Sequence, residues 1–285
     1  MAGNANTFIL LFQSADQRGI VAKVSDFIFK HGGNIITADQ HTTDPKNGDF
    51  FMRVEFIIEG SRLDKSVLSD DFFPVGRKFG AQWKIYRKED NLRMGVLVSQ
   101  PDHCLFDLLY LWRSGQLKVD LSFVISNYEK HRKIVEQFEV PFYFIPSQRN
   151  DRHEKEIMGL VKKETDFLVL ARYMLVLSED FLKEYSQDII NIHHGFLPSF
   201  KGANPYRQAL DKGVKVIGAT AHFVNERLDT GPIIAQATQE VSHKDDLASL
   251  MLKGMNLEKK ALAEAILNYI DYRVVRYKNK TVVFE

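Results

Sequence analysis

Apolar positions recur along this chain with two periods, and the change from one to the other marks its organisation. Phe8 to Phe12 is a compact apolar run, followed by the polar, glycine-containing stretch Gln13 to Gly19. From Ile20 to His31 apolar residues fall at Ile20, Val21, Val24, Phe27 and Ile28, close to helical spacing, and Gly32-Gly33 ends the pattern. Ile35 to His41 reads as a strand, Asp44 to Asp49 as a Pro/Asn/Gly turn, and Phe50 to Ile58 as a second, alternating strand. Leu63 to Phe79 reads as a helix that Pro74 must break or kink, and Gln82 to Tyr86 as a last strand. The order β-α-β-β-α-β predicts a ferredoxin-like α+β domain over residues 1–87.

Residues 88–93 form a polar linker, and the apolar pattern changes character after it. Met94 to Ser99 is a continuous apolar run, as in a strand covered on both faces. Leu105 to Trp112 then reads as a helix, Leu121 to Ser126 as a strand, Tyr128 to Phe138 as a helix and Phe142 to Ile145 as a short strand. Asp151 to Glu164 reads as a charged amphipathic helix, followed by strands at Phe167 to Ala171, Ile189 to His193 and Val216 to Phe223. A helix from Leu247 to Tyr269 and a terminal hairpin turning at Asn279-Lys280 complete the chain. Strands alternating with helices predict an α/β fold over 94–285, a doubly wound, mostly parallel sheet.

Composition narrows the function classes. The 285 residues carry 38 Lys and Arg against 37 Asp and Glu, so no global field draws the chain to nucleic acid or an anionic membrane. Cys104 is the one cysteine, which rules out an intrachain disulfide. The N-terminus lacks a basic segment before its apolar run, and no run of about 18 apolar residues occurs. A cytoplasmic protein is the expectation.

The chemistry is expected around Asn191 to Gly202, NIHHGFLPSFKG, together with Asp229 in VNERLDTGPII. If Ile189 to His193 is a strand, Asn191 and His193 share one face while Ile192 and His194 point the other way. Gly195 and Pro198 place that pair at the carboxyl end of the strand, where open α/β sheets carry their sites. An amide and an imidazole can donate to a developing oxyanion, and a carboxylate can orient the imidazole or take a proton. His222 is expected on the neighbouring strand, on the face opposite Ala219, Ala221 and Phe223. Each residue also has a plain structural reading, as a satisfied polar group at a strand end or, for Asp229, as turn chemistry. Metal ligation is not expected, because His193 and His194 are adjacent and face apart. The loop Ser99 to Leu105, SQPDHCL, has no glycine, and Pro101 removes an N–H donor, so it is a poor cradle for phosphate.

Two resemblances add to this reading. The stretch SADQRGIVAKVSDFI with Gly32 to Ile35 resembles an ACT domain, which implies an amino-acid effector near Asp16, Gly19 and Asn34 and assembly as a homo-oligomer. A purely structural domain is the alternative. The blocks Asn-x-His, Leu-Pro-Ser-Phe-x-Gly and Asp-Thr-Gly-Pro-Ile, in this order, resemble the folate-dependent formyltransferase and formyl-hydrolase superfamily. Preceded by an ACT-like domain, they are similar to its formyltetrahydrofolate deformylase branch. The resemblance implies that Asn191, His193 and Asp229 act on the formyl group of 10-formyltetrahydrofolate, supported by His222. It also implies that Leu170, Arg172, Met174, Val176 and Leu177 lie along the folate, with neither metal nor further cofactor. Where relatives that use a phosphorylated acceptor have a Gly-rich loop, this chain has QPDHC, which points to water as the acceptor. The alternatives are formyl transfer to an amine, or an amino-acid-sensing regulator with an inactive catalytic fold.

Overall fold

In the computed structural model, which describes residues 5–59, 64–199 and 205–285, the chain divides into two units. One comprises Met1–Asn91 with Asp271–Val275 and Val282–Glu285, the other Leu92–Ile270 with Arg276–Thr281. The start of the expected second helix at Leu63 and the Phe200 to Gly202 end of the Leu-Pro-Ser-Phe-x-Gly block lie outside the described residues.

The first unit runs β1 (Ala5–Ala15), α1 (Ile20–Lys30), β2 (Gly33–Thr42), β3 (Asp49–Glu59), α2 (Lys65–Lys78) and β4 (Gln82–Arg87). Its sheet has the order β2-β3-β1-β4 with antiparallel neighbours, the ferredoxin-like arrangement. Phe8, Leu10 and Phe12 alternate onto one face of β1 and pack with Ile20, Val24, Phe27, Leu68 and Phe72 of the helices. Pro74 lies inside α2, which continues through it, so the expected break is absent. Packing decides: Leu68, Phe72 and Gly76 are buried on both sides of the proline, and a Cβ on Gly76 would come within 2.0 Å of the Trp83 indole. Segments of the chain terminus also belong here, where Tyr272 stacks on Tyr86 at 3.8 Å.

The second unit holds a seven-stranded sheet of β5 (Leu92–Val98), β6 (Val119–Ser126), β7 (Phe142–Phe144), β8 (Phe167–Leu170), β9 (Asp188–His193), β10 (Val216–Phe223) and β11 (Ile233–Glu240). The order is β11-β10-β9-β8-β5-β6-β7. β5 pairs in parallel with β6 and β8, as do β6 with β7 and β8 with β9, whereas β10 is antiparallel to β9 and β11. The connecting helices are α3 (His103–Arg113), α4 (Arg132–Gln137), α5 (Glu154–Glu164), α6 (Glu179–Tyr185) and α7 (Pro205–Asp211), and α8 (Leu247–Ile270) follows β11. The helix expected from Tyr128 begins instead as a single 3-10 turn, Glu129–His131. Gly95 lets β5 lie close to its neighbours, since a Cβ there would meet Leu168 and Thr165 at 2.8 Å.

Two short helices, α6 and α7, and the antiparallel strand β11 carry little sequence pattern and were not expected. The terminal hairpin, β12 (Val274–Tyr277) and β13 (Lys280–Val283), turns at Lys278-Asn279 rather than at Asn279-Lys280. Lys278 takes the left-handed conformation, φ 55, that the turn needs. Among the described residues no helix is long and apolar enough to cross a membrane.

Candidate active site

The site forms where β9 ends beside β10. Their antiparallel register sets His222 opposite Asn191 and Thr220 opposite His193, so residues of one face on each strand meet. Asn191 Nδ2 lies 3.2 Å from His222 Nε2. His222 Nδ1 lies 2.8 Å from the Phe223 carbonyl oxygen, which assigns the neutral ring as Nδ1–H donor, with Nε2 accepting from the Asn191 amide. Asp229 closes the group: its Oδ2 is 3.2 Å from His193 Nδ1 and its Oδ1 is 3.8 Å from His222 Nε2. The three side chains expected from sequence are therefore together, and His222 joins them directly.

The loop between β10 and β11 aims Asp229. Asn225 Oδ1 accepts from the Arg227 N–H and the Thr230 hydroxyl, both at 3.1 Å, which fixes the turn. Asp229 itself has φ 54, a left-handed conformation that a non-glycine residue adopts only under local constraint. Gly231 is required next to it, because a Cβ there would fall 1.7 Å from the Phe223 carbonyl oxygen. Gly231→Ala is thus expected to lose about 1–3 kcal/mol of stability. Chemical denaturation checks this, and an unchanged midpoint would mean that the loop has room to yield.

Electrostatics follow from burial. Burial alone would raise the Asp229 pKa, but the hydrogen bond from His193 and the nearby His222 ring outweigh it and hold the carboxyl well below the usual carboxylate range. His194 is pulled down to about 4, first by burial and then by the Arg172 charge, and is a neutral ring at neutral pH. His194 follows the last residue of β9, so strand alternation no longer governs it. It lines the same cleft as His193 instead of facing away from it.

Residues not singled out from sequence hold the surrounding loop. Thr220 Oγ1 donates to the Gly195 carbonyl at 2.9 Å and accepts from the Leu197 N–H at 3.0 Å. Gln236 Nε2 donates to the Leu197 carbonyl and to Thr220 Oγ1, at 2.9 and 3.0 Å. Thr220 was legible in principle, as it shares the strand parity of His222, but Gln236 sits on the strand that sequence did not mark.

Two small clefts open beside the group. One of about 70 Å³ is lined by Leu170, Tyr173, Leu175, Val176 and Leu177, and by Asn191, His222 and Asp229. The other, of about 210 Å³, is lined by Arg172, Met174 and Val176 with Asn191, His193, His194 and Asp229, and also by Arg149. All five residues expected along the folate therefore border the group, although Met174 is largely exposed and Arg172 extends toward Glu258 on α8. Among the described residues, the backbone groups of Leu175 to Leu177 have no protein hydrogen-bond partner. In the first unit, Asp16, Gly19 and Asn34 are all exposed. The Asp16 N–H donates to the Gly48 carbonyl at 2.8 Å, Gly19 opens α1 at φ 88, and Asn34 lies on the edge strand β2.

Among the described residues, one group of metal-ligating type occurs, His103, Cys104 and Glu258. Its carboxylate is engaged by His103 Nε2 and the Tyr206 hydroxyl, each at 2.8 Å, and faces Arg172 Nε at 3.3 Å. An arginine already supplies the positive charge there.

Comparison with known proteins agrees with the geometry. Residues 92–266 match the family described as formyl transferase, and residues 8–65 match the ACT domain. The formyltetrahydrofolate deformylase of Bacillus subtilis is 42% identical over 285 residues, covering 99% of this chain and 95% of the relative. The crystal structure of a formyltetrahydrofolate deformylase from Pseudomonas syringae pv. tomato superposes with TM-score 0.92 at 40% identity, covering 98% of this chain and 95% of that one. A glycinamide ribonucleotide transformylase from Symbiobacterium toebii superposes with TM-score 0.65 at 29% identity, covering 70% of this chain and 97% of that one. A full-length match at this identity, with the Asn191, His193 and Asp229 group assembled on a formyl transferase fold, places the chain in the formyltetrahydrofolate deformylase family.

Proposed function

We propose that the protein hydrolyses 10-formyltetrahydrofolate to formate and tetrahydrofolate at the Asn191, His193 and Asp229 group. The observation that carries this reading is the approach of Asp229 Oδ2 to within 3.2 Å of His193 Nδ1, beside the Asn191 amide. Water attacks the formyl carbon, a C–O bond forms and the bond from carbon to N10 breaks. One proton of the water ends on N10 and the other leaves with formic acid. The tetrahedral intermediate carries an oxyanion, which the second N–H of Asn191 stabilises together with His193 once its ring carries the water's proton on Nε2, with Nδ1 turned to Asp229. Asp229 is held too acidic to be a strong base, so it serves by orienting His193 and the water.

The pterin ring lies in the cleft walled by Leu170, Val176 and Leu177, where the uncommitted backbone groups of Leu175 to Leu177 supply directional bonds. We further infer a cytoplasmic site of action, assembly as a homo-oligomer, and an amino-acid effector near Asp16, Gly19 and Asn34 of the ACT domain. The decisive experiment is incubation with 10-formyltetrahydrofolate and no added amine. Formate and tetrahydrofolate are expected in equal amounts over many turnovers. Folate binding without release of formate would overturn the reading.

A further inference from the structure

A third cleft, of about 500 Å³, adjoins the site. Arg172 and His194 line it and also the 210 Å³ cleft that contains Asn191, His193 and Asp229, so these two side chains form a shared wall. Beyond the wall, the larger cleft is bounded by Met251, Met255, Tyr206 and Glu258, and by Pro101 and Asp102 of the glycine-free loop. A nucleophile larger than water has room there, across the Arg172 and His194 wall from Asn191, His193 and Asp229.

The charges in that cleft are arranged against such a nucleophile. Glu258 is 1% exposed, and a buried carboxylate is the group that would hold an amine as its ammonium ion. Here it is already spent. Oε1 accepts from the Tyr206 hydroxyl, Oε2 faces His103, and the Arg172 Nε sits 3.3 Å from Oε2, held by charge without a hydrogen-bonding angle. Gly254, one helical turn before Glu258, makes this possible, because a Cβ there would come within 2.0 Å of the Tyr206 ring. The second carboxylate at the rim, Asp102, is paired with Lys130 at 3.5 Å, and Arg207 adds another cation. Burial opposes ionisation of Glu258, but His103 and Arg172 outweigh it and keep it a carboxylate.

Arg172 also has a strained backbone. Its φ of 64 lies in the left-handed region that glycine adopts freely and an arginine adopts only at a cost.

We propose that Arg172 is the residue that makes water the acceptor: its guanidinium neutralises Glu258 and sets a positive charge on the wall between the clefts. A protonated amine then finds no anion to hold it near the formyl carbon, whereas uncharged water enters freely. This rests on the hydrolytic reading above. The chemistry differs between the two acceptors only in the nucleophile. With an amine, a C–N bond forms, the bond from carbon to N10 breaks, and the amine proton ends on N10, giving an N-formyl amine and tetrahydrofolate. The same fold occurs in the Symbiobacterium toebii protein described as a glycinamide ribonucleotide transformylase, so the scaffold itself does not forbid an amine.

The test measures partition. Full-length wild type, Arg172→Gln, Arg172→Gly and Arg172→Lys are given 10-formyltetrahydrofolate with rising glycinamide, and formate, N-formylglycinamide and tetrahydrofolate are quantified. Wild type and Arg172→Lys, which keeps the charge, are expected to yield formate with only trace N-formylglycinamide. In Arg172→Gln the ratio of N-formylglycinamide to formate is expected to rise on the order of tenfold or more. Arg172→Gly suits the backbone conformation and repeats the test if the Gln variant does not fold. An unchanged ratio in the folded uncharged variants overturns the proposal, as does transfer by Arg172→Lys equal to that of Arg172→Gln. Loss of all turnover in both uncharged variants, with folate still bound, assigns Arg172 to the chemistry itself and also overturns it. Absence of formate from wild type, by contrast, removes the hydrolytic reading first.

Discussion

His193→Ala and Asp229→Asn each lower kcat/KM for formate release by about 10²–10⁴-fold. The first removes the ring proposed to hold the water's proton and to face the oxyanion. The second leaves the imidazole in place but without the anion that fixes its orientation from 3.2 Å. Because the two side chains act as one unit, the double variant is expected to lose little more than the worse single variant. The measurement is steady-state formate release, with folate binding and circular dichroism showing that the fold and substrate binding are intact. Activity within a few-fold of wild type in either variant would remove that residue from the chemistry.

The same carboxylate links to stability with a definite sign. Its folded pKa is lowered, so its pairing stabilises the fold above the unfolded value of about 3.9 and loses that effect as pH falls through the folded value. Asp229→Asn is therefore expected to unfold at lower denaturant than wild type at neutral pH, with the gap closing in strong acid.

Phe72→Ala destabilises the ACT domain by about 3–5 kcal/mol. Phe72 is fully buried, and its ring centroid lies 4.9 Å from Phe27, 4.9 Å from Trp83 and 6.3 Å from Phe12. Removing it empties the junction of both helices with the sheet, which cannot collapse without moving β1 or β4. The two tryptophans fall one in each unit, Trp83 and Trp112, so fluorescence in a Trp112→Phe background follows the ACT domain by itself. A midpoint of that transition shifted by less than about 1 kcal/mol would mean that the aromatic cluster repacks.

The pattern of apolar positions was enough for the ferredoxin-like order, for the parallel strands β5, β6, β8 and β9, and for α8, because each buries a face or a whole run of side chains that periodicity exposes. It did not reveal α6 and α7, which have seven residues each, or β11, whose IIAQATQE alternates only partly. It also overstated Pro74, since a lost hydrogen bond within α2 is outweighed by packing that no local rule contains.

For the site, residue order and strand parity placed Asn191 and His193 on one face, and the Asp-Thr-Gly-Pro-Ile block marked Asp229. These are local properties of the chain. That Asp229 reaches His193, that His222 meets Asn191, and that Thr220 and Gln236 hold the intervening loop depend on β10 lying antiparallel beside β9, a pairing between segments about thirty residues apart. The closure of Glu258 by Arg172, His103 and Tyr206 is further still from local pattern, since four elements of the chain supply one charge cluster. Sequence determined which chemistry the protein carries, because identity and periodicity are written residue by residue. Tertiary structure decided which groups are within reach of one another, because burial and distance, which set their charges, exist only once the strands have paired.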